Sequence, residues 1–280
     1  MSNNGPKFFP PLGACDCHAH VFDGKSKLAA DRLYTPDEAS LADYRSMLLR
    51  LGISRGVIVQ PSVYGLDNCA TLAASASDPE KFRAIVVLDH DCDDAEITRC
   101  HAMGARGVRL NAVFGGSADR LQSWARRLAP HNWHIQLLVD VSRSIDLADI
   151  ASRISVPLVF DHMGHLPASK TINDPGFQSL LRAVGAGHAW VKLSGAYRLT
   201  GRRHLPYDDV EPFAKSLIAA NPENCIWASD WPHPSISTEM PDDLDLLNVF
   251  AAWAPDKNVQ HRILVDNPAR LYDFPQSIGD

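Results

Sequence analysis

The chain has no uninterrupted apolar run near 18 residues, so no membrane-spanning helix is expected. It also has no basic run. Its 27 Lys+Arg are interspersed with 33 Asp+Glu for a net charge of −6, which argues against nucleic acid or an anionic membrane as partner. Anion binding is thereby left to a few placed arginines. Residues 1–12 hold Asn, Gly, Lys and three prolines but no apolar core of a secretory leader, so a cytoplasmic location is expected. The six cysteines (Cys15, Cys17, Cys69, Cys92, Cys100 and Cys225) form no framework beyond the Cys15/Cys17 spacing. Two neighbours on one strand face do not easily close a disulfide, and reduced thiols are expected.

What the chain does contain is alternation. Its 280 residues are the usual length of one (β/α)8 barrel, and a chain of this size buries roughly three quarters of its unfolded surface. Short β-rich runs are expected as strands at Ala14–His20, Gly56–Gln60, Phe82–Leu88, Gly107–Asn111, His134–Asp140, Pro157–His162, Trp190–Ser194 and Cys225–Asp230. Between them, helices are expected at Thr35–Leu51, Asn68–Ser77, Asp93–Met103, Ser117–Leu128, Ile145–Ile154, Gly176–Val184 and Val210–Ala220. Helices at Leu244–Trp253 and Val259–Val265 and a turn at Pro268–Tyr272 close the chain. Eight strands separated by helices, with no linker-like stretch, predict a single α/β domain over residues 1–280, a parallel TIM barrel. A doubly wound open sheet is the alternative.

In such a barrel the chemistry sits at the carboxyl ends of the strands. His18 and His20 end the first strand, two residues apart and therefore on one face, as a metal clamp or as a pair of donors to a carbonyl. Arg109 and Asn111 lie on the fourth strand, Asp161 and His162 end the sixth, Tyr197 and Arg198 follow the seventh, and Ser229 and Asp230 end the eighth. Ser62 and Tyr64 follow the second. Burying two adjacent imidazoles without a function is costly, which sets His18 and His20 apart. His101, His131, His134 and His188 read as ordinary structural histidines, and His233 as a weaker candidate than His162.

These segments resemble the amidohydrolase superfamily, and within it the branch of 2-pyrone-4,6-dicarboxylate lactonase and related sugar-lactone enzymes. The resemblance is carried by Asp16-Cys17-His18-Ala19-His20, Gln60-Pro61-Ser62-Val63-Tyr64-Gly65 with Asp67-Asn68, Gly107-Val108-Arg109, Phe160-Asp161-His162-Met163-Gly164, Lys192-Leu193-Ser194-Gly195 with Tyr197-Arg198, Ser229-Asp230-Trp231-Pro232-His233-Pro234 and Asn267-Pro268-Ala269-Arg270-Leu271-Tyr272. It spans nearly the whole chain and implies a barrel of the amidohydrolase type.

Most members of that superfamily bind divalent metal through the first-strand histidines, a fifth-strand histidine, often a fourth-strand lysine, and the eighth-strand aspartate. Here Arg109 stands on strand four, and the outer end of strand five reads Leu137-Leu138-Val139-Asp140 without a histidine. No required metal or other cofactor is therefore expected. The alternative is Zn²⁺ held by His18, His20 and Asp230.

The resemblance implies hydrolysis of a carboxylate-bearing lactone, with Asp230 as general base and His18, His20 and His162 polarising the carbonyl. Arg109 and Arg198 would hold the acidic group, supported by Tyr34, Ser62 and Tyr64. The branch's second arginine and its strand-five tyrosine are replaced around Gly115-Gly116 and Leu138, so a less charged lactone or a sugar-acid lactone competes as substrate. The same residues suit a lactone isomerase of the galactarolactone type. A metal-dependent hydrolase or decarboxylase, and a catalytically silent binding barrel, complete the alternatives. The expected partner is a small acidic lactone from aromatic or sugar-acid catabolism, and homo-oligomerisation is left open.

Overall fold

The computed structural model describes residues 8–111, 118–143, 146–236 and 239–275. Its strands are β1 (Cys15–Ala19), β2 (Arg55–Val59), β3 (Phe82–Val86), β4 (Ala105–Asn111), β5 (His134–Leu138), β6 (Leu158–Phe160), β7 (Ala189–Leu193) and β8 (Cys225–Trp227). They pair in parallel in the order β1 to β8, which is a barrel and not the doubly wound alternative. The helices are α1 (Leu41–Leu51), α2 (Cys69–Ala76), α3 (Asp94–Ala102), α4 (Ala118–Leu128), α5 (Leu147–Ser152), α6 (Pro175–Gly185), α7 (Ala196–Leu199), α8 (Glu211–Ala220), α9 (Asp243–Trp253), α10 (Lys257–His261) and α11 (Asn267–Tyr272).

Strand alternation sorts the apolar side chains into two layers. Val57, Val59, Ile85, Val159 and Ile226 join Cys15 and Cys17 in an inner cluster, floored by Leu271, Tyr272 and Phe274 from α11 and the tail after it. Their strand neighbours Ile58, Ala84, Val86, Leu158, Phe160, Cys225 and Trp227 pack in the outer cluster, which also takes in buried faces of the helices. The six cysteines are all free thiols. Among the described residues no helix is long and apolar enough to cross a membrane.

The barrel closes at the place where its chemistry is expected. Beyond β8, Asp230 N donates to His18 O at 2.9 Å and His20 N donates to Trp231 O at 2.8 Å, so residues 229–231 act as an extension that pairs with β1. Buried Asp16 secures this seam, accepting from Ser229 N (2.9 Å), Ser229 Oγ (2.5 Å) and the Tyr44 hydroxyl (3.1 Å). Burial pushes the Asp16 carboxyl up to about 6, against the lowering effect of these donors.

Several expected boundaries shift. The helix expected from Thr35 begins at Leu41, because Ser40 and Asp43 form a reciprocal capping box and Ala39 bridges back to Phe22. Strands six and eight end at Phe160 and Trp227, short of His162 and Asp230, whose φ of 48° and 67° lie in the left-handed region. The four-residue α7, which carries Tyr197 and Arg198, was not expected. The last helices run on through a π-turn at Arg262–Asp266 instead of breaking. Gly115 and Gly116, and the expected helix starts at Ser117 and Ile145, lie outside the described residues.

Candidate active site

A register shift between Asp16 and Ala19 sets three residues of β1 against two of β2. Such a bulge reverses the alternation, so Cys15 and Cys17 point into the barrel below it while His18 and His20 do so above it. The His18 and His20 rings meet edge to face, with their Nε2 atoms 3.3 Å apart. His20 Nδ1 lies 2.7 Å from Val59 O, a contact only N–H can make, which leaves the Nε2 of a neutral ring as an acceptor.

His162 enters from beyond β6, its ring centroid 4.8 Å from that of His18 and its Nδ1 2.9 Å from Ser194 Oγ. Gly195 permits this approach: it holds a φ of +63°, and a Cβ there would lie 2.8 Å from His162 Nδ1. Burial, with Arg109 nearby, lowers His20 to about 4, and burial lowers His162 to about 3 against the pull of Asp230. Burial and Lys192 hold His18 well below its ordinary range. All three are neutral at pH 7.

Asp230 lies opposite, fully buried. Its Oδ2 accepts from the Tyr197 hydroxyl and from Arg198 Nε, both at 2.6 Å. Its Oδ1 has no hydrogen-bond partner among the described residues and lies 3.8 Å from His18 Nε2. His162 Nε2 is 3.8 Å from Oδ2. Burial raises this carboxyl, but His162, Arg198, His18 and His20 outweigh it and hold Asp230 well below the carboxylate range. Tyr197 is in turn 3.1 Å from His233 Nδ1, and His233 Nε2 is 3.0 Å from Asp243 Oδ1. His233, the weaker candidate by sequence, thus buttresses the support of Asp230.

Behind the histidines lies a second buried cluster. Lys192, fully buried on β7, donates to Gln136 Oε1 at 2.7 Å and reaches His18 Nδ1 at 3.2 Å and Asp161 Oδ1 at 3.3 Å. Asp161 Oδ2 accepts from Arg109 Nε at 3.2 Å and from Gln136 Nε2 at 3.0 Å. Burial opposes its charge, yet Lys192, His18 and Arg109 hold Asp161 well below its usual range. Gln136, from β5, thus bridges Lys192 and Asp161.

The structure therefore brings His18, His20, His162, Asp230, Arg109 and Arg198 together. Tyr34 joins the rim, hydrogen-bonded to Ser62 and within electrostatic reach of Arg109 and Arg198. Tyr64 does not join it: its hydroxyl pairs with Asp23, at 3.3 Å from both Oδ1 and the amide nitrogen. Sequence reasoning gave no role to Lys192 and Gln136, and placed Tyr197 after the seventh strand without assigning it one. The signal for the first two was a polar residue at an inward position of an otherwise apolar strand.

For a divalent metal, the compact donor set is His18, His162 and Asp230, whose ligand atoms lie within 4.8 Å of one another, and not the expected His18, His20 and Asp230. It fits poorly. The Asp230 charge is already engaged by Arg198, and Lys192 and Arg109 add two buried cations beside His18 and His20.

Comparison with known proteins accords with this geometry. The chain is 37% identical over 277 residues to a 4-sulfomuconolactone hydrolase of Rhizobium radiobacter, covering 95% of this chain and 91% of that one. It is 34% identical to a 2-pyrone-4,6-dicarboxylate hydrolase of Comamonas testosteroni (98% and 94% covered) and 29% identical to a D-galactarolactone isomerase of Agrobacterium fabrum (97% and 95% covered). The family model described as Amidohydrolase matches residues 15–274, and the chain belongs to the amidohydrolase family.

Proposed function

We propose that this protein is a lactonase that opens a carboxylate-bearing lactone by hydrolysis at the mouth of the barrel, without a metal. The observation that carries the reading is the asymmetry of Asp230. One oxygen accepts from Tyr197 and Arg198, while the other is buried, without a hydrogen bond among the described residues and 3.8 Å from His18 Nε2. A water on Oδ1 can attack a carbonyl carbon held between Asp230 and the histidines, its proton passing to the carboxylate as the C–O bond forms. The carbonyl oxygen, gaining charge, is met by the Nε2–H groups that His18 and His162 can present, whereas His20, expected as a third donor, has its one proton on Nδ1 and cannot donate to it. Collapse breaks the ring C–O bond, and the leaving oxygen takes the proton from Asp230, giving a ring-opened hydroxy acid.

A carboxylate held so far below its usual range is a weak base, so the scheme depends on strong polarisation of the carbonyl by the opposite wall. Arg198 has Nε on Asp230 and Nη2 on Pro234 O at 3.0 Å, leaving Nη1 without a hydrogen bond among the described residues and suited to the substrate's acidic group. Arg109, tied to Asp161 and to Gln60 O, lies deeper and would add charge more than direct contacts.

Incubation with 2-pyrone-4,6-dicarboxylate, 4-sulfomuconolactone and a panel of sugar-acid lactones tests the reading, with products identified by NMR. Ring-opened acid is expected. An isomerised lactone would replace hydrolysis by proton transfer through the same Asp230, and no turnover of any member by folded protein would end the lactonase reading. Activity is expected to survive exhaustive chelation, and stoichiometric Zn²⁺ by elemental analysis with loss of activity on its removal would overturn the metal-free mechanism.

A further inference from the structure

A neutral imidazole carries one proton, and the surroundings of His18 determine where it resides. At one end, Nδ1 lies 3.2 Å from Lys192 Nζ and 3.3 Å from Asp161 Oδ1. At the other, Nε2 lies 3.3 Å from His20 Nε2 and 3.8 Å from Asp230 Oδ1. Lys192 has no exposure to water; burial lowers its pKa, and the Asp161 charge 3.3 Å away opposes this and favours the ammonium with its three protons. Gln136 Oε1 at 2.7 Å and His18 Nδ1 at 3.2 Å have hydrogen-bond geometry for those protons, while Asp161 Oδ1, 3.3 Å away, has none with either Lys192 or His18 and acts as the counter-charge. A proton on Nδ1 would face the ammonium directly and take one acceptor from it.

The mouth end gives the same answer independently. His20 spends its Nδ1 proton on Val59 O, so its Nε2 offers a lone pair. A lone pair on His18 Nε2 would then oppose a lone pair at 3.3 Å, whereas an N–H there donates to it.

We infer that Lys192 is a positioning residue that fixes His18 as the Nε2–H tautomer, making that nitrogen a hydrogen-bond donor into the mouth and removing it as a metal ligand. A metal-bound histidine normally donates its other N–H to a carboxylate, and Asp161 Oδ1 stands where that acceptor would be needed. Lys192 is therefore what separates the two uses of this pocket. With it, His18 polarises a carbonyl; without it, the Nδ1 proton turns to Asp161 and a lone pair joins the ligand atoms of His162 and Asp230, all within 4.8 Å of one another. The tautomer assignment stands apart from the lactonase reading, and only its kinetic consequence rests on that reading.

The test uses the full-length protein labelled with ¹⁵N-histidine at neutral pH, with His18 assigned by comparison with His18→Gln. Long-range proton–nitrogen correlations are expected to show Nδ1 unprotonated and Nε2 protonated in the wild type, and the reverse in Lys192→Met. Zn²⁺ titrated against a chromophoric chelator is expected to bind Lys192→Met at least about tenfold more tightly than the wild type, the scale on which residues behind metal ligands act. A protonated Nδ1 in the wild type overturns the inference, as does Lys192→Met with unchanged tautomer and unchanged Zn²⁺ affinity. If Lys192→Met does not fold, the wild-type spectrum alone decides. A protein that turns over no lactone still gives both readouts, so the two readings fail separately.

Discussion

Asp161 and Asp230 lie on opposite sides of the His18 ring, 3.3 Å from Nδ1 and 3.8 Å from Nε2, and both are held ionised although their side chains are buried. They differ in what their neighbours leave free. Around Asp161 are Lys192, Arg109 and Gln136, with both oxygens within 3.3 Å of a cation. Among the described residues neither Oδ1 accepts a hydrogen bond, but that of Asp161 faces the Lys192 ammonium at 3.3 Å, whereas the donors around Asp230 are all on Oδ2 and Oδ1 has only the His18 ring near it, at 3.8 Å. The first is a counter-charge without which two buried cations would be uncompensated. The second is a base with one face kept open. The barrel thus places two similar carboxylates within one cluster and divides structure from chemistry by the side from which their donors approach.

The most severe test of that division is Asp230→Asn. It keeps the shape and a hydrogen bond to Arg198 or Tyr197 but removes the proton acceptor, and kcat is expected to fall by about 10³-fold or more, with KM changed little. Steady-state kinetics on whichever lactone is turned over reads this directly; unchanged kcat would move Asp230 out of the mechanism. The matching change, Asp161→Asn, leaves Lys192 and Arg109 buried without their counter-charge, and is expected to cost about 3–5 kcal/mol in urea unfolding. If Asp161→Asn instead unfolds like the wild type and Asp230→Asn is the unstable one, the roles are reversed.

The next largest effect is in pH. His20, lowered to about 4, and His162, lowered to about 3, are neutral when folded and charge near 6.5 when unfolded. The unfolded chain therefore binds more protons across that window, and stability falls as pH drops from about 6.5 to about 4. For His20 alone the loss is on the order of 3 kcal/mol. Asp16, raised to about 6, acts oppositely: it favours the folded state below about pH 4, an advantage lost as pH rises through 6. One carboxyl only partly offsets several buried imidazoles, so the urea midpoint should decrease from pH 7 to pH 5. A midpoint that rises over that interval would show the histidines to be charged in the folded protein.

Tyr197→Phe is expected to act more gently, removing one of the two donors on Asp230 Oδ2 and the link to His233. Loss of one charge-assisted hydrogen bond, about 1.5–3 kcal/mol in general, should appear as roughly a tenfold drop in kcat with the fold retained by circular dichroism. A drop as large as that of Asp230→Asn would mean that the phenol itself exchanges protons with substrate.

Much of this division was legible in the sequence, and the parts that were not share a cause. Strand and helix alternation follows from local hydrophobic period, and the strand-end positions of His18, His20, Arg109, His162 and Asp230 follow from the barrel. What two carboxylates do with their oxygens depends on which side chains point inward across five strands, and that depends on register. The bulge in β1 lets Cys17 and His18, adjacent in sequence, both face the interior. Lys192 and Gln136 meet only because β7 and β5 project them to the same height, a relation between residues 56 apart. The capping box at Ser40 and Asp43 is different, a local signal present in the sequence and outweighed there by Thr35-Pro36.

Tyr64 shows how the same limit acts at the rim, and it carries the smallest expected effect. Its position after β2 is right for a substrate donor, but its ring packs against Phe22 and its hydroxyl is engaged with Asp23. Asp23 Oδ1 also accepts from the amides of Lys25 and Ser26, so the phenol belongs to the hydrogen bonding of the loop between β1 and α1. The side chain of Tyr64 is buried and its contacts are mostly made by the ring, which phenylalanine keeps. Tyr64→Phe should therefore change kcat/KM by less than about twofold and lower stability by roughly 1 kcal/mol, below the usual worth of a hydrogen bond to a carboxylate because this one is long, at 3.3 Å, and Asp23 keeps its other donors. Tyr34→Phe, whose hydroxyl pairs with Ser62 near Arg109 and Arg198, should raise KM more than Tyr64→Phe does. If the order is inverted, substrate binding must turn Tyr64 away from Asp23, and the rim that faces Asp230 would then be built by the lactone itself.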